Sequence, residues 1–165
     1  MVLVPPVKIT VPGLPAAFVT RANLCADLDA AAAADVALVC APPGYGKTLL
    51  LADWAQTSTA IDTAWVGIDP GDNDPRRLWS AVTAAVAHCP SVPGDRRRQP
   101  PRVWRPATAP EFIAQFAAGL AGLPQPIRLI LDDVHNLVDP HALDSLRAFI
   151  RVKPATVQLV LAGRF

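Results

Sequence analysis

Apolar residues in this chain fall into two alternating patterns, short dense runs and longer stripes at three- and four-residue spacing. The runs are residues 36–40, 64–68, 127–131 and 157–162, rich in Val, Ile and Leu. Runs of five or six residues are too short for helices and have the length of buried strands. The stripes predict helices between them. Leu49, Leu50, Ala52 and Trp54 mark one over 47–56, with no Pro or Gly inside it. Phe18, Leu24 and Leu28 suggest another over 16–34, with Thr20 as a candidate cap and the alanine run 30–34 extending it. Asp74 can cap a third with Pro75 in its first turn; Leu78, Trp79, Val82, Ala85 and Val86 form its apolar face, and it must stop before Pro90. A capping box of Thr108 and Glu111 opens a fourth over 112–120, and Leu143, Leu146 and Ile150 stripe a fifth over 141–152.

Strands that alternate with helices imply an α/β fold: a mainly parallel sheet between two helical layers. At 165 residues one such domain fits, divided as a lead-in and helix over 1–35 and a core over 36–165. Pro5, Pro6, Pro12 and Pro15 keep the start extended and break any apolar helix of the kind a signal peptide needs. No run reaches the length of a membrane span. The net charge of +1 selects neither nucleic acid nor an anionic membrane as partner. Cys25, Cys40 and Cys89 show no CxxC spacing and sit in apolar surroundings that suit buried, reduced thiols in the cytoplasm. Hydrophobic residues make up 52% and charged ones 18%, so some apolar surface is expected to face a partner.

Residues 91–109 are rich in Pro and Arg. Arg96, Arg97, Arg98, Arg102 and Arg105 with Trp104 have the residue types that grip single strands. The prolines among them favour a solvated, extended loop, and no direct DNA binding by this segment is expected. His88, His135 and His141 have no partners at metal-ligand spacing.

The stretch APPGYGKTLL, residues 41–50, carries candidate chemistry. It fits G-x-x-x-x-G-K-S/T at Gly46, Lys47 and Thr48, with Ala41 where the first glycine is usual. It also stands where that pattern must, after a buried strand and at the start of a helix. Gly44 and Gly46 allow backbone N–H groups to turn inward around anionic oxygens, and the helix N-terminus adds its dipole. Pro43, Gly44, Tyr45, Gly46, Lys47, Thr48 and Leu49 are therefore candidate contacts for nucleotide phosphates, Lys47 on the outer ones and the Thr48 hydroxyl on Mg²⁺. In RLILDDVH the 127–131 strand delivers Asp132 and Asp133 to its C-terminal end, the edge where α/β sheets bind ligands. Asp132 is the candidate metal ligand and Asp133 the group that orients or deprotonates an attacking water. Arg164, at the tip of the 157–162 strand, is a candidate γ-phosphate sensor or a solvated arginine.

Together APPGYGKT, LLADW, AWVGIDPGDNDPRRLWSAV, LILDDVHNL and LVLAGR resemble the ATPase module of the large, maltose-activator-like LuxR-type transcriptional regulators, STAND-class P-loop proteins. The resemblance covers nearly the whole chain. It implies a P-loop NTPase fold, ATP or ADP with Mg²⁺ as cofactors, and a nucleotide contact from Arg21, which with Val19 matches that family's V-x-R arrangement. It also implies downstream regulator domains as partners, and a fifth strand beside 36–40 that would follow the sensor strand. With the sheet cut short after its fourth strand, slow or absent hydrolysis and self-association through an exposed sheet edge are expected. The rival readings are a self-standing P-loop ATPase or kinase acting on a small substrate, and an interaction domain with a degenerate site.

Overall fold

The computed structural model describes residues 3–32, 36–93 and 109–164. Four strands, β1 (Val36–Cys40), β2 (Asp62–Gly67), β3 (Ile127–Asp132) and β4 (Val157–Gly163), form one sheet in the order β1-β4-β3-β2. Every pairing is parallel. The expected α/β class with a parallel sheet is therefore present. The helices are α1 (Ala22–Ala32), α2 (Lys47–Thr57), α3 (Pro75–His88), α4 (Ala109–Ala121) and α5 (Pro140–Val152).

The strand order explains the layers. From β1 the chain crosses to the far edge at β2, then steps back through β3 to β4. Right-handed crossovers in opposite directions put their helices on opposite faces. Accordingly α1 and α2 pack Leu28, Leu50, Leu51 and Trp54 against Trp65, Ile130 and Val160 on one face. On the other, α3, α4 and α5 bury Trp79, Phe112, Phe116 and Phe149 against Val66, Leu129, Leu131 and Leu159. Trp79 is the hub of that layer. Its ring meets Phe149, Phe116 and Phe112 edge-on at centroid distances of 5.3, 5.7 and 6.1 Å, and its indole N–H donates to Ser145 Oγ at 3.0 Å. Such edge-to-face contacts add about 0.5–1.5 kcal/mol each beyond area burial.

Caps fix the helix starts. Asp74 accepts from the Arg76 amide and Pro75 opens α3, as its sequence predicts. Asp139 does the same for α5, accepting from the His141 and Ala142 amides with Pro140 in the first turn. The 16–34 helix is shorter than expected at its start. Residues 16–21 are not helical: Phe18 N–H donates to the Pro15 carbonyl in a turn, and the Thr20 hydroxyl points at Asp53 Oδ1, 3.4 Å away, instead of capping. A tertiary contact to α2 has overridden local propensity. The cysteine expectation holds for Cys89, which is buried, but Cys40 is exposed because β1 lies at the sheet edge. The Thr108 cap and the arginines from Arg96 to Arg105 lie outside the described residues.

The lead-in is extended around one 3-10 turn (Pro6–Ile9). Lys8 binds both Asp69 and the buried Asp72 after β2, so this segment lies along the β2 edge. Among the described residues β1 pairs with β4 alone, leaving its other edge free with Leu38 66% exposed.

Candidate functional site

The loop after β1 and the end of β3 both lie at the carboxyl edge of the sheet, the edge where α/β sheets bind ligands, with β4 between the two strands. Gly44 and Gly46 take left-handed backbone conformations, φ 83° and 76°, which a side chain would resist. Gly46 is the residue before α2, and its carbonyl accepts from the Leu50 amide. Lys47, first in the helix, folds its ammonium back under the loop and donates to the Ala41 and Pro42 carbonyls at 2.7 and 3.2 Å. It is 9% exposed, and among the described residues it has no ion pair. A buried cation with only carbonyl partners at a helix N-terminus has the charge and the position to receive anionic oxygens.

Next to Lys47 the Thr48 hydroxyl donates to Asp132 Oδ2 at 2.6 Å, joining α2 to the end of β3 across 84 residues of sequence. Asp132 is 3% exposed, and its Oδ1 accepts from the Asp133 amide at 2.9 Å. Burial pushes the Asp132 carboxyl above the ordinary range; the Thr48 hydrogen bond opposes this, and the Asp133 charge adds to it. A hydroxyl beside a desolvated carboxylate is a hard-oxygen donor set that fits Mg²⁺. Asp133 turns away in the left-handed region, φ 59°, and stays partly exposed with Oδ1 3.7 Å from His135 Nδ1. Its environment therefore differs from that of the buried Asp132.

Arg21 reaches the same place from the start of α1. Its guanidinium donates to the Tyr45 carbonyl at 3.1 Å and lies 3.7 Å from the position of a Cβ on Gly46. Pro43, Gly44 and Tyr45 are exposed at the loop rim, while Leu49 is half-buried. Arg164 follows β4 at this sheet end with its side chain exposed. Direct contacts thus join Arg21 to the loop at Tyr45 and Thr48 to Asp132, whereas Asp133 approaches His135 and Arg164 is exposed after β4.

A latch behind the acids was not read from the sequence. Asn73 donates to the Asn136 carbonyl at 2.8 Å and accepts from the Val138 and Asp139 amides at 2.7 Å each. Asn136 donates to the Ile68 carbonyl at 2.9 Å. These bonds tie the loop after β2 to the loop after Asp133. The signal was there in the asparagines of DPGDNDP and DDVHN, but local turn chemistry explains asparagine as readily as a partner 63 residues away.

A family model described as an AAA domain matches residues 31–164. The chain belongs to the AAA domain family. It is a P-loop NTPase module, as its loop and acids led us to expect. It is 34% identical over 153 residues to the HTH-type transcriptional regulator MalT of Cronobacter sakazakii, covering 88% of this chain and 16% of that protein. The chain therefore spans about one sixth of the length of this curated relative. A solved structure of C. elegans PCH-2 aligns with TM-score 0.47 at 13% identity, over 87% of this chain and 37% of that one. No helix among the described residues is long and apolar enough to cross a membrane.

Proposed function

We propose that this chain binds ATP or ADP with Mg²⁺ and serves as the STAND-type switch module of a LuxR-type transcriptional regulator in the cytoplasm. The observation that carries the nucleotide reading is Lys47, an ammonium nine-tenths buried with no carboxylate partner among the described residues, pointing into a loop of left-handed glycines. In this reading the loop amides around Gly44 and Gly46 cradle the phosphates, flanked by Pro43, Tyr45 and Leu49. Lys47 turns from the Ala41 and Pro42 carbonyls to the outer phosphates. Thr48 and Asp132 hold the cation, which supplies charge neutralisation on the phosphate oxygens. Asp133, partly exposed, orients or deprotonates a water, and Arg164 senses the γ-phosphate. Arg21, already against the loop at Tyr45, contacts the nucleotide.

The regulator role is supported by the identity to MalT, and no direct DNA contact is assigned to this segment. The free β1 edge is assigned to strand pairing, with a downstream segment or with a second chain. Equilibrium binding of ATP, ADP and GTP, each with and without Mg²⁺, tests the nucleotide assignment. Tight binding of both adenine nucleotides and weak binding of GTP is expected. Failure of all three to bind, or equal affinity for GTP, contradicts it.

A further inference from the structure

β3 is buried at every position, and the second of these is an arginine. Arg128 is 1% exposed and among the described residues forms no ion pair. Its guanidinium lies over the Trp54 ring of α2, 3.5 Å from the centroid, and donates from NH2 to Ser58 Oγ at 3.3 Å, just past the end of that helix. The Trp54 indole N–H in turn donates to Asp29 of α1 at 2.7 Å. Among the described residues neither Nε nor NH1 of Arg128 has a hydrogen-bond partner, and the same is true of Thr63 Oγ1 and Gln158 Oε1. Register places Thr63, Arg128 and Gln158 side by side on neighbouring strands, so the unpaired atoms form one polar row under α2. A hydrophobic residue at 128 would complete the core at no such expense, since a buried unpaired charge costs several kcal/mol. An arginine at this buried position points to a role other than stability.

The geometry supplies one. α2 and β3 are joined at two levels. At the carboxyl end of the sheet Thr48 meets Asp132, and at the opposite end Trp54 and Ser58 meet Arg128. Arg128 stands four residues before Asp132, about 13 Å along the strand. Trp54 stands six after Thr48, about 9 Å along the helix. Two joints at different levels restrain α2 from pivoting against β3 more than either would by itself. With the lower one loosened, the separation of Thr48 from Asp132 is no longer fixed.

We propose that Arg128, stacked on Trp54, is a positioning residue that sets the spacing between the phosphate-loop helix and the acid-bearing strand, and so the coupling between cation and nucleotide. This rests on the nucleotide and Mg²⁺ reading above. It predicts a selective effect. Arg128→Met removes the buried charge and should leave the melting temperature unchanged or raised. Nucleotide affinity without Mg²⁺ should stay within about twofold of wild type, because the loop and Lys47 are untouched. The gain in affinity on adding Mg²⁺ should shrink about 3- to 30-fold, well inside the roughly 2- to 150-fold that coupling between groups in one network covers. Arg128→Lys, which keeps the charge but not the planar stack, should fall between the two.

The experiment measures ATP affinity with Mg²⁺ and with EDTA for wild type, Arg128→Met and Arg128→Lys, beside thermal melts of each. An unchanged Mg²⁺ gain in the Met variant overturns the proposal. A parallel fall in melting temperature and both affinities overturns it too, since that is general loosening. If Arg128→Met does not fold, Arg128→Lys decides by the same criterion. Wild-type protein that shows no Mg²⁺-dependent binding refutes the nucleotide reading itself, and is distinguished because no variant is needed to see it.

Discussion

Replacing Asp132 with asparagine should stabilise the empty protein while abolishing its response to Mg²⁺. The carboxylate is 3% exposed and accepts two hydrogen bonds, from the Thr48 hydroxyl at 2.6 Å and the Asp133 amide at 2.9 Å. Burying such an ion costs several kcal/mol, and two charge-assisted bonds return about 1.5–3 kcal/mol each. Asparagine keeps an acceptor for the Asp133 amide, and its NH₂ can donate to the Thr48 hydroxyl, without the desolvated charge. The difference should favour the variant by about 1–2 kcal/mol, or about 2–8 °C in melting temperature for a domain of this size. The pH dependence has a definite sign. Burial raises the folded Asp132 pKa above its ordinary 3.8, so the stability it contributes is complete below that value and lost as pH rises through the folded one. The advantage of asparagine should therefore be small in acid and full at pH 7. Saturating ATP with Mg²⁺ should narrow or reverse the order, since ligand at about 100 times Kd adds about 2.7 kcal/mol to wild type and less to a variant that binds more weakly. Thermal melts at several pH values, with and without nucleotide and Mg²⁺, read both effects. An asparagine variant that melts below empty wild type at pH 7, or gains as much from Mg²⁺ and ATP, would refute the argument.

Asp133→Asn should spare Mg²⁺-dependent binding, because its side chain is partly exposed and outside the Thr48–Asp132 pair; in a longer protein that turns over ATP, hydrolysis should fall about 100-fold or more. Equal loss of binding in the Asp132 and Asp133 variants would remove the division of roles. Leu38→Lys should reduce self-association measured by light scattering, since Leu38 is a large exposed apolar residue on β1, whose outer edge is free among the described residues, and an unchanged mass distribution would place any association elsewhere. Phe149→Ala should destabilise the fold by about 3–5 kcal/mol by opening a cavity beside Trp79, and a loss under about 1 kcal/mol in denaturant titrations would contradict the packing described.

The parts of this fold that were legible in advance are those whose signal is local. β1, its loop and the start of α2 follow one another within about twenty residues, and a dense apolar run, glycines and a helix former each announce themselves. The acids at the end of β3 were equally plain. Periodicity could not show that Arg128 is buried, because an arginine within an apolar run also fits a strand with one solvated position. The fate of that side chain depends on Trp54 and Ser58, about seventy residues away. Thr20 was misread for the same reason: its hydroxyl fits a cap, and only the position of Asp53 on α2 diverts it. Asn73 and Asn136 fit turns at their own places, and their pairing with each other and with Ile68 exists only once β2 and β3 lie side by side.

The central claim is that the loop after β1 holds nucleotide phosphates through Lys47, and calorimetric titration of ATP with Mg²⁺ into wild-type protein and Lys47→Ala tests it most directly. The account predicts measurable binding to wild type and a loss of about 10- to 100-fold in the variant, the worth of hydrogen bonds to a charged group, with the variant still folded. Equal affinity of the two proteins would contradict it.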